Sequence, residues 1–193
     1  MKESLTPELL LHGYRCGFFP MADPEENDTI FWYAPERRGI LPLHDFHVSG
    51  SLARLIRQAR FEVSFDTDFE AVIRACADRP STWISEEIIQ LYLALHRLGY
   101  AHSTECRYAG ELAGGLYGVT FRGAFFGESM FYRHRDASKV ALVHLVNHLD
   151  ACGYVLLDTQ YSTPHLARFG VIEVPRADYE QRLADALSID VQW

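Results

Sequence analysis

Asp158 and Gln160 close a hydrophobic run, Val155-Leu156-Leu157-Asp158-Thr159-Gln160. Two positions apart in a strand, they share a face. Polar groups at the carboxyl end of a strand commonly line a crevice. A carboxylate beside an amide suits holding an amine and taking its proton through a short relay. The competing reading is a strand end that simply meets solvent. Glu128 stands in Gly127-Glu128-Ser129-Met130-Phe131, inside a run that otherwise reads as buried. A carboxylate there needs a partner or a changed pKa. A structural ion pair meets that need as well as a reactive group does.

Other chemistries find less support. His144 and His148 have a helical spacing compatible with metal, but no carboxylate lies between them in the His-Glu-x-x-His arrangement. A partly exposed helical pair is the plainer reading, and no metal is expected. There is no Gly-x-Ser-x-Gly elbow, no phosphate-cradling glycine loop and no dinucleotide fingerprint. The four cysteines, Cys16, Cys76, Cys106 and Cys152, have no metal spacing, and their scatter fits a reducing compartment. No apolar run approaches a bilayer span and residues 1–4 carry no signal pattern, so a cytoplasmic protein without a membrane role is expected.

The elements that must position these groups follow from periodicity. Glu111 to Phe131 holds two apolar, glycine-broken runs around Thr120-Phe121-Arg122-Gly123, which predicts a β-hairpin. Ser138 to Cys152 predicts a long helix, and Tyr154 to Thr159 a strand. Upstream, Thr6-Pro7-Glu8 opens a helix. Thr29–Tyr33 and Arg37–Leu43 read as short strands, and His47–Arg60 as a helix carrying Arg54, Arg57 and Arg60. From Phe61 the predicted order is β-α-α-β-β-β-α-β-α-β with a closing helix over Arg176–Leu187. That order fits an α+β fold. A small N-terminal lobe with its connecting helix, residues 1–60, precedes a mixed-sheet domain of the Gcn5-related N-acetyltransferase (GNAT-like) kind, residues 61–193.

The chain has 193 residues, 48% of them hydrophobic, enough for one large domain with a small lobe. Its formal charge of −8 argues against broad polyanion binding but leaves room for a local basic patch. Trp32, Tyr33 and Trp83 fall in or beside loops, where rings either stack on bases or pack between lobes. Leu116, Phe125, Met130 and Leu145 are apolar positions of the hairpin and long helix, either core or pocket lining.

Taken together, several segments resemble one family, the leucyl/phenylalanyl-tRNA–protein transferases. They are Tyr14-Arg15-Cys16-Gly17-Phe18-Phe19-Pro20-Met21, Phe31-Trp32-Tyr33-Ala34-Pro35, Thr82-Trp83-Ile84 and His96-Arg97-Leu98-Gly99-Tyr100-Ala101-His102. Gly114-Gly115-Leu116-Tyr117-Gly118, Gly127-Glu128-Ser129-Met130-Phe131, Ala137-Ser138-Lys139, Leu157-Asp158-Thr159-Gln160 and His165-Leu166-Ala167-Arg168-Phe169-Gly170 continue the series. The resemblance implies an enzyme that moves Leu or Phe, with Met also open, from aminoacyl-tRNA to the N-terminal Arg or Lys of a protein. The product is marked for N-degron degradation, and no cofactor is used. It implies Asp158 and Gln160 as the catalytic relay, with Glu128 helping to hold the acceptor or the aminoacyl end. Trp32 and Trp83 would bracket the 3′-terminal adenosine. Leu116, Phe125, Ser129, Met130 and Leu145 would line the side-chain pocket. A tRNA partner needs a basic surface, for which Arg37, Arg38, Arg54, Arg57 and Arg60 are the candidates. The chain reaches Tyr14-x-x-Gly17 early, so the leading segment of many relatives looks shortened, and Thr159 and Tyr161 depart from the residues common beside Asp-x-Gln. The alternatives are an adaptor that binds basic N-termini without reacting, and a CoA-dependent acyltransferase. Arg133-His134-Arg135-Asp136-Ala137-Ser138 lacks the glycines the latter would need.

Overall fold

The computed structural model describes residues 5–193, so the segment read for a signal lies outside the described residues. Helix α1 (Pro7–Arg15) starts where Thr6 accepts a hydrogen bond from the Leu9 N–H and Pro7 supplies a pre-set first turn. Strands β1 (Phe19–Asp23) and β2 (Thr29–Tyr33) form an antiparallel ribbon. After β3 (Arg37–Ile40) come α2 (Gly50–Arg57), β4 (Glu62–Phe65), α3 (Phe69–Ala77) and α4 (Glu86–Arg97). Strands β5 (Ala101–Tyr108), β6 (Glu111–Phe121) and β7 (Ala124–Tyr132) follow, then α5 (Ala137–Cys152). The chain closes with β8 (Leu156–Gln160), α6 (Pro164–Ala167), β9 (Ile172–Pro175) and α7 (Arg176–Leu187). From Phe61 onward this is the expected order, and the closing helix has the expected bounds.

The large sheet runs β4-β5-β6-β7-β8-β3-β9. One apolar core holds residues of α1, α3, α4 and α7, and a second holds residues of α2 and α5, so the sheet is covered on both faces. Residues 37–60, grouped above with the first lobe, join this larger unit. Strand β3 is hydrogen-bonded between β8 and β9, and Leu52 of α2 belongs to the α5 core. The reason is burial. Gly39, Ile40 and Leu41 are enclosed, and the ribbon alone has no core to enclose them. Gly39 itself must be glycine, because a Cβ there would lie 2.6 Å from the Tyr161 carbonyl carbon.

Two irregularities create the site. Strands β7 and β8 are parallel and pair only from Ala124↔Leu156 to Phe126↔Asp158. Beyond that no pairing is made, leaving a gap over α5. Within the hairpin the register runs from Tyr117↔Ser129 directly to Gly118↔Gly127. Glu128 is thus the extra residue of a β-bulge, a device that bends a strand and re-aims a side chain.

Candidate active site

Glu128 is turned by that bulge toward α1 and α4. Tyr14 donates its hydroxyl proton to Oε1 at 2.7 Å, and Tyr92 donates to Oε2 at 3.1 Å. The two hydroxyls also touch each other. From β8, the Gln160 side-chain amide donates to Oε1 at 2.9 Å. A carboxylate offers about four acceptor sites. Three are taken by these donors among the described residues, and the site left open is on Oε2. Burial pushes the Glu128 carboxyl up to about 7, against the two tyrosine donors, which pull it down. The group is therefore poised near neutrality to accept a proton.

Asp158 is in the opposite condition. It is 0% exposed, facing Arg38, which is 1% exposed. Arg38 Nε donates to Oδ1 at 2.9 Å and Nη2 to Oδ2 at 2.7 Å. The Tyr179 hydroxyl donates to Oδ2 at 2.7 Å and the Gln160 N–H to Oδ1 at 2.8 Å. All four acceptor sites are filled. Asp158 has the geometry of an anchor, with no lone pair to offer an incoming amine.

Beside Glu128 lies a cavity of about 90 Å³. Its apolar wall comes from Leu116, Met130, Leu142, Leu145, Leu157 and Leu166, and its rim from Gly127, Glu128, Ser129, Thr159 and Gln160. It occupies the gap where β7 and β8 part. Of the expected pocket residues, Leu116, Ser129, Met130 and Leu145 are in its lining and Phe125 is not. Phe125 is fully buried and stacks on Trp193 at 5.6 Å, three positions before the bulge and within the paired part of the strands.

The two expected tryptophans come from different elements, Trp32 from β2 and Trp83 from the connection before α4. Phe19 and Tyr33 share one face, their rings 6.0 Å apart. Trp32 points to the other, over Gly13 of α1, where it borders an apolar hollow with Leu9 and Phe18. Trp83 packs against the core beside β1, its carbonyl accepting from the Ala22 N–H. Trp32 is thus set against α1 and is partly exposed, at 37%.

Arg38 is the clearest correction. It was grouped with the surface arginines, yet it is enclosed against Asp158. Neighbours in a strand face opposite ways, so Arg37 is exposed, pairing with Glu173 at 3.4 Å, and Arg38 turns inward. Arg54, Arg57 and Arg60 are exposed. Arg54 borders a polar groove of about 610 Å³ with His47, Arg135, Lys139 and Arg168, between α2, the start of α5 and the end of α6. Asp136 is its acidic member, pairing with Lys139 at 2.6 Å.

Comparison with known proteins shows the family. The model of the leucyl/phenylalanyl-tRNA protein transferase family matches residues 40–184, and that of its N-terminal domain matches residues 3–36. The chain belongs to this family. Leucyl/phenylalanyl-tRNA–protein transferases of Gloeobacter violaceus and Salinibacter ruber are 57% and 55% identical to it. Both matches cover all of this chain, and 100% and 85% of those proteins respectively. The two family matches of this transferase meet between residues 36 and 40, where β3 enters the large sheet.

Sequence reasoning missed three residues of the candidate site, Tyr14, Tyr92 and Tyr179. Each lies at an apolar position of an amphipathic helix and is indistinguishable there from core. The signal for them was the unexplained carboxylates, which needed donors from other elements. His148, half of the helical histidine pair, stacks on Phe65 at 4.6 Å and meets Trp193 at 4.5 Å.

Proposed function

We propose that the chain transfers an aminoacyl group from tRNA to the α-amine of a protein, with Glu128 as proton acceptor. The observation that carries this reading is a carboxylate raised to about 7, with one acceptor site open, on the rim of an apolar cavity. The reaction joins an ester to an amine. The amine attacks the ester carbonyl and loses its proton, and the tRNA 3′ oxygen leaves. Holding both ends in place and taking that proton are the enzyme's tasks. The cavity receives the donor side chain. Its largely aliphatic wall, with Tyr117 as the one aromatic ring, suits Leu, Phe or Met and separates them from smaller side chains by about 1–3 kcal/mol per methylene. Gln160 orients Glu128, and Asp158 anchors Gln160. The acceptor is a protein with N-terminal Arg or Lys, whose cation is drawn to the acidic rim. Trp32 and Trp83 are the rings we assign to the terminal adenosine.

The groove of Arg54, Arg135, Lys139 and Arg168 is our candidate for the tRNA backbone, with Arg57 and Arg60 extending it along α2. Four cations converging in a chain of net charge −8 are a local exception to its overall field. The groove lies one helical turn from the cavity, since Lys139 borders the first and Leu142 the second. No helix among the described residues is long and apolar enough to cross a membrane. We place the reaction in the cytoplasm, where free thiols such as those of its four cysteines persist.

The test is transfer of labelled leucine or phenylalanine from charged tRNA to a peptide beginning with Arg, with an Ala peptide as control. Label on the Arg peptide, lost in Glu128→Gln, is expected. An adaptor would bind the Arg peptide and form no labelled product, and a CoA-dependent enzyme would label only with an acyl-CoA donor.

A further inference from the structure

We infer that Arg38 and Tyr179 are positioning residues for the transfer, acting through Asp158 to hold the Gln160 amide against Glu128. The inference rests on the reading of Glu128 given above. Its starting point is the backbone of Gln160, with a φ of 58°. That left-handed conformation is uncommon for a residue with a side chain. A Tyr161 N–H to Thr159 carbonyl contact of 2.6 Å closes a tight turn around it. Such backbone persists only where its surroundings over-determine it.

The surroundings are specific. The Gln160 N–H donates to Asp158 Oδ1 two residues back, the geometry by which an Asp side chain fixes a turn. Asp158 is fixed in turn by two elements distant in sequence. Arg38 enters from β3, where Gly39 pairs with Gln160. Tyr179 enters from α7. The guanidinium lies between the rings of Phe19 and Tyr179, 4.6 and 4.5 Å from their centroids. Its remaining arm, Nη1, donates to the Gly17 carbonyl at 3.0 Å. One cation thus ties the turn after α1, the ribbon, β3, β8 and α7 to a single carboxylate. Around Glu128 itself stand Tyr14 from α1, Tyr92 from α4 and Gln160 from β8, with Arg38 and Asp158 behind Gln160. Gln160 is the sole link in this set between the two carboxylates. If its turn relaxes, the amide leaves Glu128.

The experiment compares Tyr179→Phe and Arg38→Lys with the unaltered enzyme, in single-turnover transfer from charged tRNA to an Arg peptide across pH. We expect the rate to fall about tenfold for Tyr179→Phe and about a hundredfold for Arg38→Lys, the scale of sub-ångström to ångström misplacement. Affinity for charged tRNA should stay unchanged. The midpoint of the pH–rate curve should move up, because Glu128 loses a donor to its charged form. A purely structural role would lower the melting temperature and leave rate and midpoint unmoved, which would overturn the inference. Tyr179→Phe keeps the ring, so it remains decisive if Arg38→Lys does not fold. Glu128→Gln separates the two readings. If it keeps the normal rate and pH curve, the role of Glu128 fails. The positioning inference is then judged by whether Arg38→Lys and Gln160→Ala are non-additive, as residues of one relay must be. Simple additivity would overturn it.

Discussion

Two carboxylates flank β6, and they have opposite fates. Glu105 on β5 is 0% exposed and takes hydroxyl protons from Ser103 at 2.5 Å and from Ser64 and Thr67 at 2.8 Å each. The N–H groups of Thr67 and Asp68 approach it at 3.4 and 3.5 Å. Those amides belong to the two residues just before α3, whose N-cap, Asp68, makes no side-chain capping bond. Glu105 therefore fixes the chain entering α3 and places a carboxyl near the positive end of that helix. Glu128 on β7 has three donors among the described residues, and its remaining acceptor site lies beside a cavity. The difference teaches that burial alone does not mark a reactive group. Saturation of the acceptor sites does the sorting. Glu105 and Asp158 are saturated, whereas Glu128 is one bond short and faces the pocket.

The comparison breaks most sharply on substitution of each glutamate by glutamine. Glu128→Gln should lower transfer by about 10²–10⁴-fold, the usual contribution of a positioned base. Single-turnover rates at saturating charged tRNA would check this. A rate within a few fold of normal would place Glu128 with Glu105. The next effect concerns stability. The folded carboxyl of Glu128 is raised from 4.5 to about 7. A raised carboxyl leaves the folded state intact while it is protonated and opposes it once charged. Stability should therefore be highest below about pH 4.5 and fall as pH climbs through about 7, by about 3 kcal/mol from this one group. Activity should rise across the same interval. Denaturant midpoints from pH 4.5 to 8 would show the slope, and Glu128→Gln should flatten it. A slope unaltered by that substitution would assign the pH dependence elsewhere. Glu105→Gln should cost about 1–3 kcal/mol, because several buried donors lose their acceptor, and should leave the single-turnover rate unchanged. Loss of rate in a folded Glu105→Gln protein would end the distinction.

Much of this was legible in the residues. The hairpin, the long α5 and the strand that follows it came from runs of apolar residues. Glu128 stood out as a charge in a buried run, and Asp158 and Gln160 as polar residues ending one. What the sequence could not show was direction. Arg37 and Arg38 are adjacent cations, and period-two alternation sends one to water and one to the interior without saying which. The same alternation sets Trp32 over Gly13 of α1, which the run of apolar residues does not reveal. Phe125 and Met130 are both apolar residues of β7, and only the single-residue bulge at Glu128, together with the end of the β8 pairing at Phe126, explains why Met130 borders the cavity and Phe125 does not. The tyrosines were hidden for a related reason. A ring that fills a core and a hydroxyl that serves a carboxylate are the same residue, and the second role appears only when the carboxylate's other donors are known.

Single donors give the finest comparison. Tyr92→Phe removes one hydroxyl from Glu128, and Ser64→Ala removes one from Glu105. Each loss of a hydrogen bond to a charged group is worth about 1.5–3 kcal/mol when the group is charged. For Glu105 that loss should appear wholly as stability, since two hydroxyls and two backbone amides still fill the remaining acceptor sites. For Glu128 it should divide. The carboxyl escapes part of the cost by staying protonated, so the midpoint of the pH–rate curve rises and stability below pH 6 changes little. Measuring both quantities in both variants tests whether the two carboxylates differ in kind. If Tyr92→Phe loses stability at every pH and its pH–rate midpoint does not move, Glu128 behaves as a second Glu105, and the open acceptor site has no bearing on reactivity.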